Sequence, residues 1–400
     1  MSLAYEGVRI LDFSQLVSAP LATHQLAMLG ADVIKVERLG VGDQFAGVWH
    51  TDRSRDSSRA FPFQATNQGK RSLAIDLKKP EAISIILNLA ERCDAVVENF
   101  SAGAMGRLGL GYEDVRKVNP NVVYCSVTGY GQKGPKAGIA AYDGAVQAAS
   151  GMMSITGDTK SGPMRAGYMP VDVSTALMAA FALSSALYRK LTTGEGQYID
   201  VAMMDTAVLL QMPMYMNYMN AGVVPPMLGN RSPTYSPTSD TFPTRDGHIQ
   251  LTAVEETHNA AIFKTLGLAE AYADPKYSSE EARRANETTL MPLLNHAFST
   301  DTSANWWTKL SEAGVACAIV AKIPDVVKDE QFKHRSLFVD VPMAGKSDSA
   351  ITTLATSFVM SNETPRVHAA PTLGQHTDEI LSEFGYSAGD IVAFREKSII

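Results

Sequence analysis

The sequence predicts an α/β protein: an open, doubly wound parallel sheet in a large domain, joined to a smaller α+β domain. Three observations carry that prediction. Short β-branched runs alternate with helix-patterned segments through the first half, the composition changes after position 202, and two further strand patterns follow near position 240. At 400 residues, 45% of them hydrophobic and 19% charged, the chain can bury a large core and has no segment polar enough to stay disordered.

The elements follow in order. VRILDF at 8–13 reads as a strand, LATHQLAMLG as a helix and ADVIKVE at 31–37 as a second strand, which makes a βαβ unit. RSLAIDL, a helix from near Pro80 to near Cys93, the strand DAVVENF, a helix around Tyr112–Val118 and the strand NVVYCSV continue the alternation. Right-handed crossovers put such helices on the sheet faces and ligands at the C-terminal ends of the strands, so functional residues should follow strands. A long helix at about 173–191 and a strand near Gln197–Ala202 complete this half.

QMPMYMNYMNAGVVPPMLGNRSPTYSPT then reads as a linker, and DTFPTRDGHIQLTA as two strands joined at Arg245–Gly247, followed by helical segments to about 312. The closing segment, with Pro371, Gly374 and the helix-like DEILSEFGY, has no core of its own and can return to the first domain. The expected division is a large domain over 1–205, a linker over 206–228, a small domain over 229–320 and a return segment over 321–400.

A formal charge of -7 argues against a nucleic-acid binder, because phosphate backbones demand clustered Lys and Arg. Cys93, Cys125 and Cys317 are odd in number and far apart, which offers neither a disulfide framework nor a zinc spacing. The eight histidines show no ligand spacing, so no metal site is expected. No basic region followed by an apolar stretch opens the chain, and the apolar run at 173–188 falls short of the roughly 20 residues that span a membrane. A cytoplasmic protein with no membrane partner is the default expectation.

The turn after the first strand is FSQLVSAP, without the glycines that let a dinucleotide pyrophosphate approach the backbone, and no GxxxxGK[ST] loop or GxSxG elbow is present. Basic residues nevertheless stand near predicted strand ends: Arg38, Lys70, Arg71, Lys78 and Arg107. They read either as solvated surface charges or as a phosphate-binding set. Asp172 precedes a helical run, where its plain role is to cap the first backbone N–H groups. Its functional role would be that of an ionised carboxylate, held at a helix N-terminus, that attacks an activated carbonyl.

Taken together, GVRILDFSQLVSAP, MLGADVIKVERLGVGD, NQGKRSLAIDLK, VENFSAGAMGRLGLGYE, AYDGAVQAASGMMSITG, the Asp172 segment GYMPVDVSTALMAAF, TGEGQYIDVAMMD and PTLGQHTDEILSEFGYS resemble the class III coenzyme A transferases. That family contains formyl-CoA transferase, carnitine CoA-transferase and the methylacyl-CoA racemases, and the likeness spans nearly the whole chain. It implies a Rossmann-like large domain, an interlocked homodimer, and CoA transfer from an acyl-CoA to a small carboxylic or dicarboxylic acid. No permanently bound cofactor is implied, and coenzyme A and acyl-CoA enter as substrates.

By that resemblance the nucleophile is Asp172, which passes through a mixed anhydride and an aspartyl-CoA thioester. Coenzyme A contacts fall on Val17, Ala19, Arg38, Ile75, Lys78, Asn99, Phe100, Arg107 and Leu108. The glycine-rich loop of the family corresponds to LGNRSP, with Gly229 and Asn230 as oxyanion candidates and only one glycine, which speaks against a formyl or oxalate substrate. The racemase branch carries a histidine where this chain has Tyr142, so racemisation is disfavoured; Tyr142 is either a CoA or substrate contact or a packed aromatic. A racemase or epimerase of this superfamily, and a non-catalytic CoA-binding protein, are the two rival readings.

Overall fold

The computed structural model describes residues 3–46, 61–343 and 346–400. The chain divides into two compact units, one comprising Met1–Met152, Ala166–Gly222 and Glu330–Ile400, the other Met153–Arg165 and Val223–Asp329.

The larger unit is built on a six-stranded sheet of β1 (Arg9–Asp12), β2 (Asp32–Arg38), β3 (Arg71–Ile75), β4 (Ala95–Glu98), β5 (Val123–Thr128) and β6 (Gln197–Ala202). Their order is β3-β2-β1-β4-β5-β6, and every neighbouring pair is parallel. The strand order therefore reverses between β1 and β4, which is where a doubly wound sheet opens a crevice. Ile10, Leu11, Val96, Val97 and Cys125 are fully buried, as expected of strands covered on both faces.

One face carries α1 (Ser18–Met28) and α5 (Pro170–Thr193); the other carries α2 (Pro80–Glu91) and α3 (Tyr112–Val118). The α2 helix begins on Pro80, whose missing N–H is no loss in a first turn, and buries Ala82, Ile85, Ile86 and Leu89 at helical spacing. In α5 the buried residues Ala176, Ala179, Leu183 and Ala186 are mostly small, which lets the helix lie close against α1 and β5. Gly194, at φ +76°, ends it by donating to the Lys190 carbonyl. At 24 residues α5 is longer than the apolar run suggested and, by length and composition, could cross a membrane; here one of its faces belongs to the core of the sheet.

The C-terminal helices Thr377–Glu383 and Ala388–Glu396 contribute Ile380, Leu381 and Ile391, and Phe384 at the end of the first adds its ring, to the same core as Leu73 and Ile75. The Asp76 N–H donates to the Ile399 carbonyl at 2.8 Å. The expected linker over 206–228 is for the most part regular structure, with helices at Met203–Leu210 and Met212–Ala221. Pro213 sits in a first turn and Gly222 closes the second helix at φ +68°, so residues that look like chain breakers serve as its two ends.

In the smaller unit, Thr241–Pro243, His248–Thr252 and Ala316–Ile319 form an antiparallel sheet with His248–Thr252 at its centre. Phe242, Ile249, Leu251, Phe263, Leu294, Phe298 and Trp306 fill its core, the Phe242 and Phe298 rings stacking at 4.7 Å. Residues 153–165 join this unit because Gly157–Asp158 pairs with Gly162–Pro163 and the Gly157 carbonyl accepts the Gly229 N–H at 2.8 Å. Sequence patterning had assigned that short hairpin to the large domain.

Candidate active site

A cavity of about 340 Å³ opens at the strand-order reversal. Its walls are the segments that follow three central strands: Gln15–Ser18 after β1, Asn99–Ser101 after β4, and Thr128 and Gly129 at the end of β5. Tyr142, Asp172, Gln44 and Met203 also line it, with Val127, Ala140 and Ala141 between them. No histidine lines it among the described residues.

Asp172 lies in the first turn of α5, but it does not cap that helix. The cap comes from Asp143, at the start of α4 (Asp143–Ala149), whose Oδ2 accepts the N–H groups of Val171 at 2.9 Å and Asp172 at 3.0 Å. Asp143 is itself buried and held through Oδ1 by Gln147, whose Oε1 accepts the Ala166 N–H at 2.9 Å. With the backbone donors satisfied by another carboxylate, the side chain of Asp172 is left to face the cavity.

The electrostatics separate the two aspartates by role. Burial, followed by the negative charge of Asp143, pushes the Asp172 carboxyl up to about 7, and only the Ser18 side chain favours the ionised form. A carboxylate stripped of water in this way is more basic, and a better nucleophile, than one in solution. If Asp172 must be ionised to react, kcat/KM rises with pH and its acid limb has its midpoint near pH 7. A pH–rate profile from 3 to 9 measures this directly; a limb centred near 4, where an ordinary aspartate titrates, would show that burial and Asp143 do not raise this carboxyl.

The basic residues divide into two sets. Lys70 is buried and donates to Asp12 Oδ2, the Pro20 carbonyl and Asn67 Oδ1, each at 2.9 Å. Arg71 is bound to Asp32 at 2.7 Å, Glu379 at 2.9 Å and Glu383 at 2.8 Å, which ties a C-terminal helix to β3. Both are structural and have no donors to spare for a phosphate. Arg38 at the end of β2, Lys78 after β3 and Arg107 beyond β4 are exposed and form no ion pair among the described residues.

The other expected contacts are also sorted by the structure. Val17, Asn99, Phe100 and Tyr142 line the cavity. Tyr142 is 67% exposed, so it is not a packed aromatic of the core. Asn99 also holds the chain after β1, accepting the Gln15 N–H at 2.8 Å and donating to the Gln15 carbonyl at 2.7 Å. Ala19 and Ile75 are buried, and the Ile75 side chain belongs to the core, so a ligand can meet Ile75 only through its main chain. Leu108 packs half-buried against that core. Gly229, at φ +62°, and Asn230 lie in a loop of the smaller unit. Ser18, Gln44 and Asp143 were not singled out from sequence; only the position of Ser18 after the first strand could have pointed to it.

Residues 5–377 match the family model for CoA-transferase family III. The chain is 34% identical over 381 residues to succinyl-CoA:glutarate CoA-transferase of Mus musculus, covering 94% of this chain and 86% of that protein. It is 34% identical over 393 residues to succinyl-CoA:mesaconate CoA-transferase of Haloarcula hispanica, covering 96% and 98%. Among solved structures, a CAIB/BAIF family protein from Brucella suis superposes with a TM-score of 0.86 at 29% identity, covering 96% of this chain and 100% of that one. With a reversed parallel sheet, a cavity at its crevice and relatives of this identity along nearly its full length, the chain belongs to CoA-transferase family III and is a CoA-transferase.

Proposed function

We propose that this enzyme moves coenzyme A from an acyl-CoA to a small carboxylic or dicarboxylic acid through covalent intermediates on Asp172. The observation that carries the reading is the placement of Asp172: it faces the cavity at the sheet crevice, while Asp143 takes over the helix cap. The Asp172 carboxylate attacks the donor thioester carbonyl, the C–S bond breaks, and a mixed anhydride and a CoA thiolate result. The thiolate attacks the aspartyl carbonyl and expels the donor acid, leaving an aspartyl-CoA thioester. The acceptor carboxylate then displaces the thiolate to form a second anhydride, and the thiolate attacks the acceptor's acyl carbon, which restores Asp172 and retains the thioester energy.

Glutarate and mesaconate in the names of the relatives support a dicarboxylic acceptor. Of the five basic residues near strand ends, Arg38, Lys78 and Arg107 are left to meet the phosphates of coenzyme A, with Val17 and Phe100 along its pantetheine arm. Replacing Arg38 or Lys78 by alanine should raise KM for the acyl-CoA about tenfold and change kcat by less than about threefold, because the lost contact serves ground and transition states alike. Steady-state kinetics with the donor varied checks this; a fall in kcat at unchanged KM would remove these residues from the phosphate site.

A homodimer fits the apolar side chains left exposed on α5, among them Phe181, Tyr188 and Leu191, and light scattering tests it. Mass spectrometry of the aspartyl adduct tests the mechanism. Incubation with succinyl-CoA and hydroxylamine should convert residue 172 to a hydroxamate, and its absence during active turnover would overturn the covalent reading.

A further inference from the structure

Behind the cavity wall formed by Gln15–Ser18 lies a group of fully buried charges. Asp12 and Lys35 are register partners on β1 and β2, so their side chains leave the sheet on the same face. Lys35 donates to the Ser14 carbonyl at 2.8 Å and stands 2.9 Å from Asp43 Oδ2, an ionic contact off the line of a directed hydrogen bond, since that oxygen has no hydrogen-bond donor. Asp43 Oδ1 accepts the N–H groups of Leu16 at 3.0 Å and Phe45 at 2.9 Å. Neither side chain of the pair is exposed to solvent.

What this pair holds is unusual. Leu16 lines the cavity at φ +67°, a left-handed conformation that a residue with a bulky side chain rarely adopts. Such strain persists only where its surroundings impose it, and it gathers at functional sites. Two residues later the chain enters α1 with Ser18, which faces Asp172. A buried ion pair adds little stability over apolar groups of similar size, so stability alone does not account for two charges at this place.

We propose that Lys35 and Asp43 are positioning residues for acyl transfer: together they clamp the Ser14–Leu16 backbone, keep Leu16 left-handed and so present Ser18 to the Asp172 carboxylate. The proposal rests on Asp172 being the nucleophile. Neither residue touches the substrate; both act through the loop.

The test compares Lys35→Met/Asp43→Leu, which replaces the pair with apolar groups, and the near-isosteric Asp43→Asn with the wild type. In the double variant kcat should fall at least about tenfold while KM for succinyl-CoA stays within about threefold, as expected of a misplaced reacting group. Its acid limb should also move to higher pH, because the influence of Ser18 is lost while the Asp143 charge remains, and the Leu16 amide should exchange faster with deuterium. Asp43→Asn should lie between the two, and it decides the matter if the double variant does not fold. A folded variant with wild-type kcat and acid limb would overturn the positioning role. Failure of the parent reading looks different: the wild type itself would give no hydroxamate at residue 172.

Discussion

Replacing Asp172 by alanine is expected to lower kcat/KM at least about 10⁴-fold, because without the carboxylate no covalent intermediate forms. The affinity for coenzyme A should stay within about threefold, since the side chain meets the thioester and not the nucleotide. Were Asp172 only a helix cap, its loss would cost about 1–2 kcal/mol of stability and leave turnover largely intact. The cap in this protein is Asp143, so the two roles are physically separate and the variant distinguishes them. Stability should move in the opposite direction to activity. The folded protein holds the Asp172 proton up to about pH 7, against 3.8 for an unperturbed aspartate, so the ionised side chain destabilises the fold progressively as pH rises through that interval. The thermal midpoint of Asp172→Asn, relative to wild type, should therefore rise from about pH 4 to about pH 7 and level off above it. Calorimetry at several pH values, alongside isothermal titration with coenzyme A, measures both halves of the expectation.

The second large effect is expected at Asp143. Alanine there leaves two backbone donors at the start of α5 without their acceptor, which costs about 1–3 kcal/mol and loosens the turn that carries Asp172. A displacement of about 1 Å in a reacting group can cost about 100-fold in rate, and a loss of that order in kcat is expected. The pH dependence separates this from simple damage. The negative charge of Asp143 helps to hold the Asp172 carboxyl up, so removing it should move the acid limb of kcat/KM below pH 7. Asp143→Asn, which keeps an acceptor oxygen, should shift the limb in the same direction with a smaller loss of rate. A limb that stays at 7 in both variants would mean that the two aspartates are not electrostatically coupled.

The class of fold was legible because its signal is local. Runs such as VRILDF, DVIKVE and NVVYCSV have the length and branching of buried parallel strands, and the helices between them announce the crossovers. The site was legible in outline for the same reason, since FSQLVSAP and VENF follow strands and the Asp172 turn opens a long apolar helix. What stayed hidden depends on partners remote in sequence. Lys70 and Arg71 look like surface cations until Asp12, Glu379 and Glu383 are brought beside them. Asp172 looks like a cap because nothing local reveals that Asp143, from another helix, already occupies the donors. The Met-rich stretch reads as a linker by its change of composition, whereas Pro213 and Gly222 mark the two ends of a helix.

The way the C-terminal helices complete the core bears on how the protein is made. The sheet face that α2 and α3 cover is completed, beside Leu73 and Ile75, by Ile380, Leu381, Phe384 and Ile391. During translation that last part of the face has no permanent cover until residues 377–391 leave the ribosome, while the smaller unit, whose segments are all complete by Asp329, can close earlier. A nascent chain of this enzyme thus carries a partly uncovered sheet through most of its synthesis, and it is in this interval that chaperones have a surface to bind.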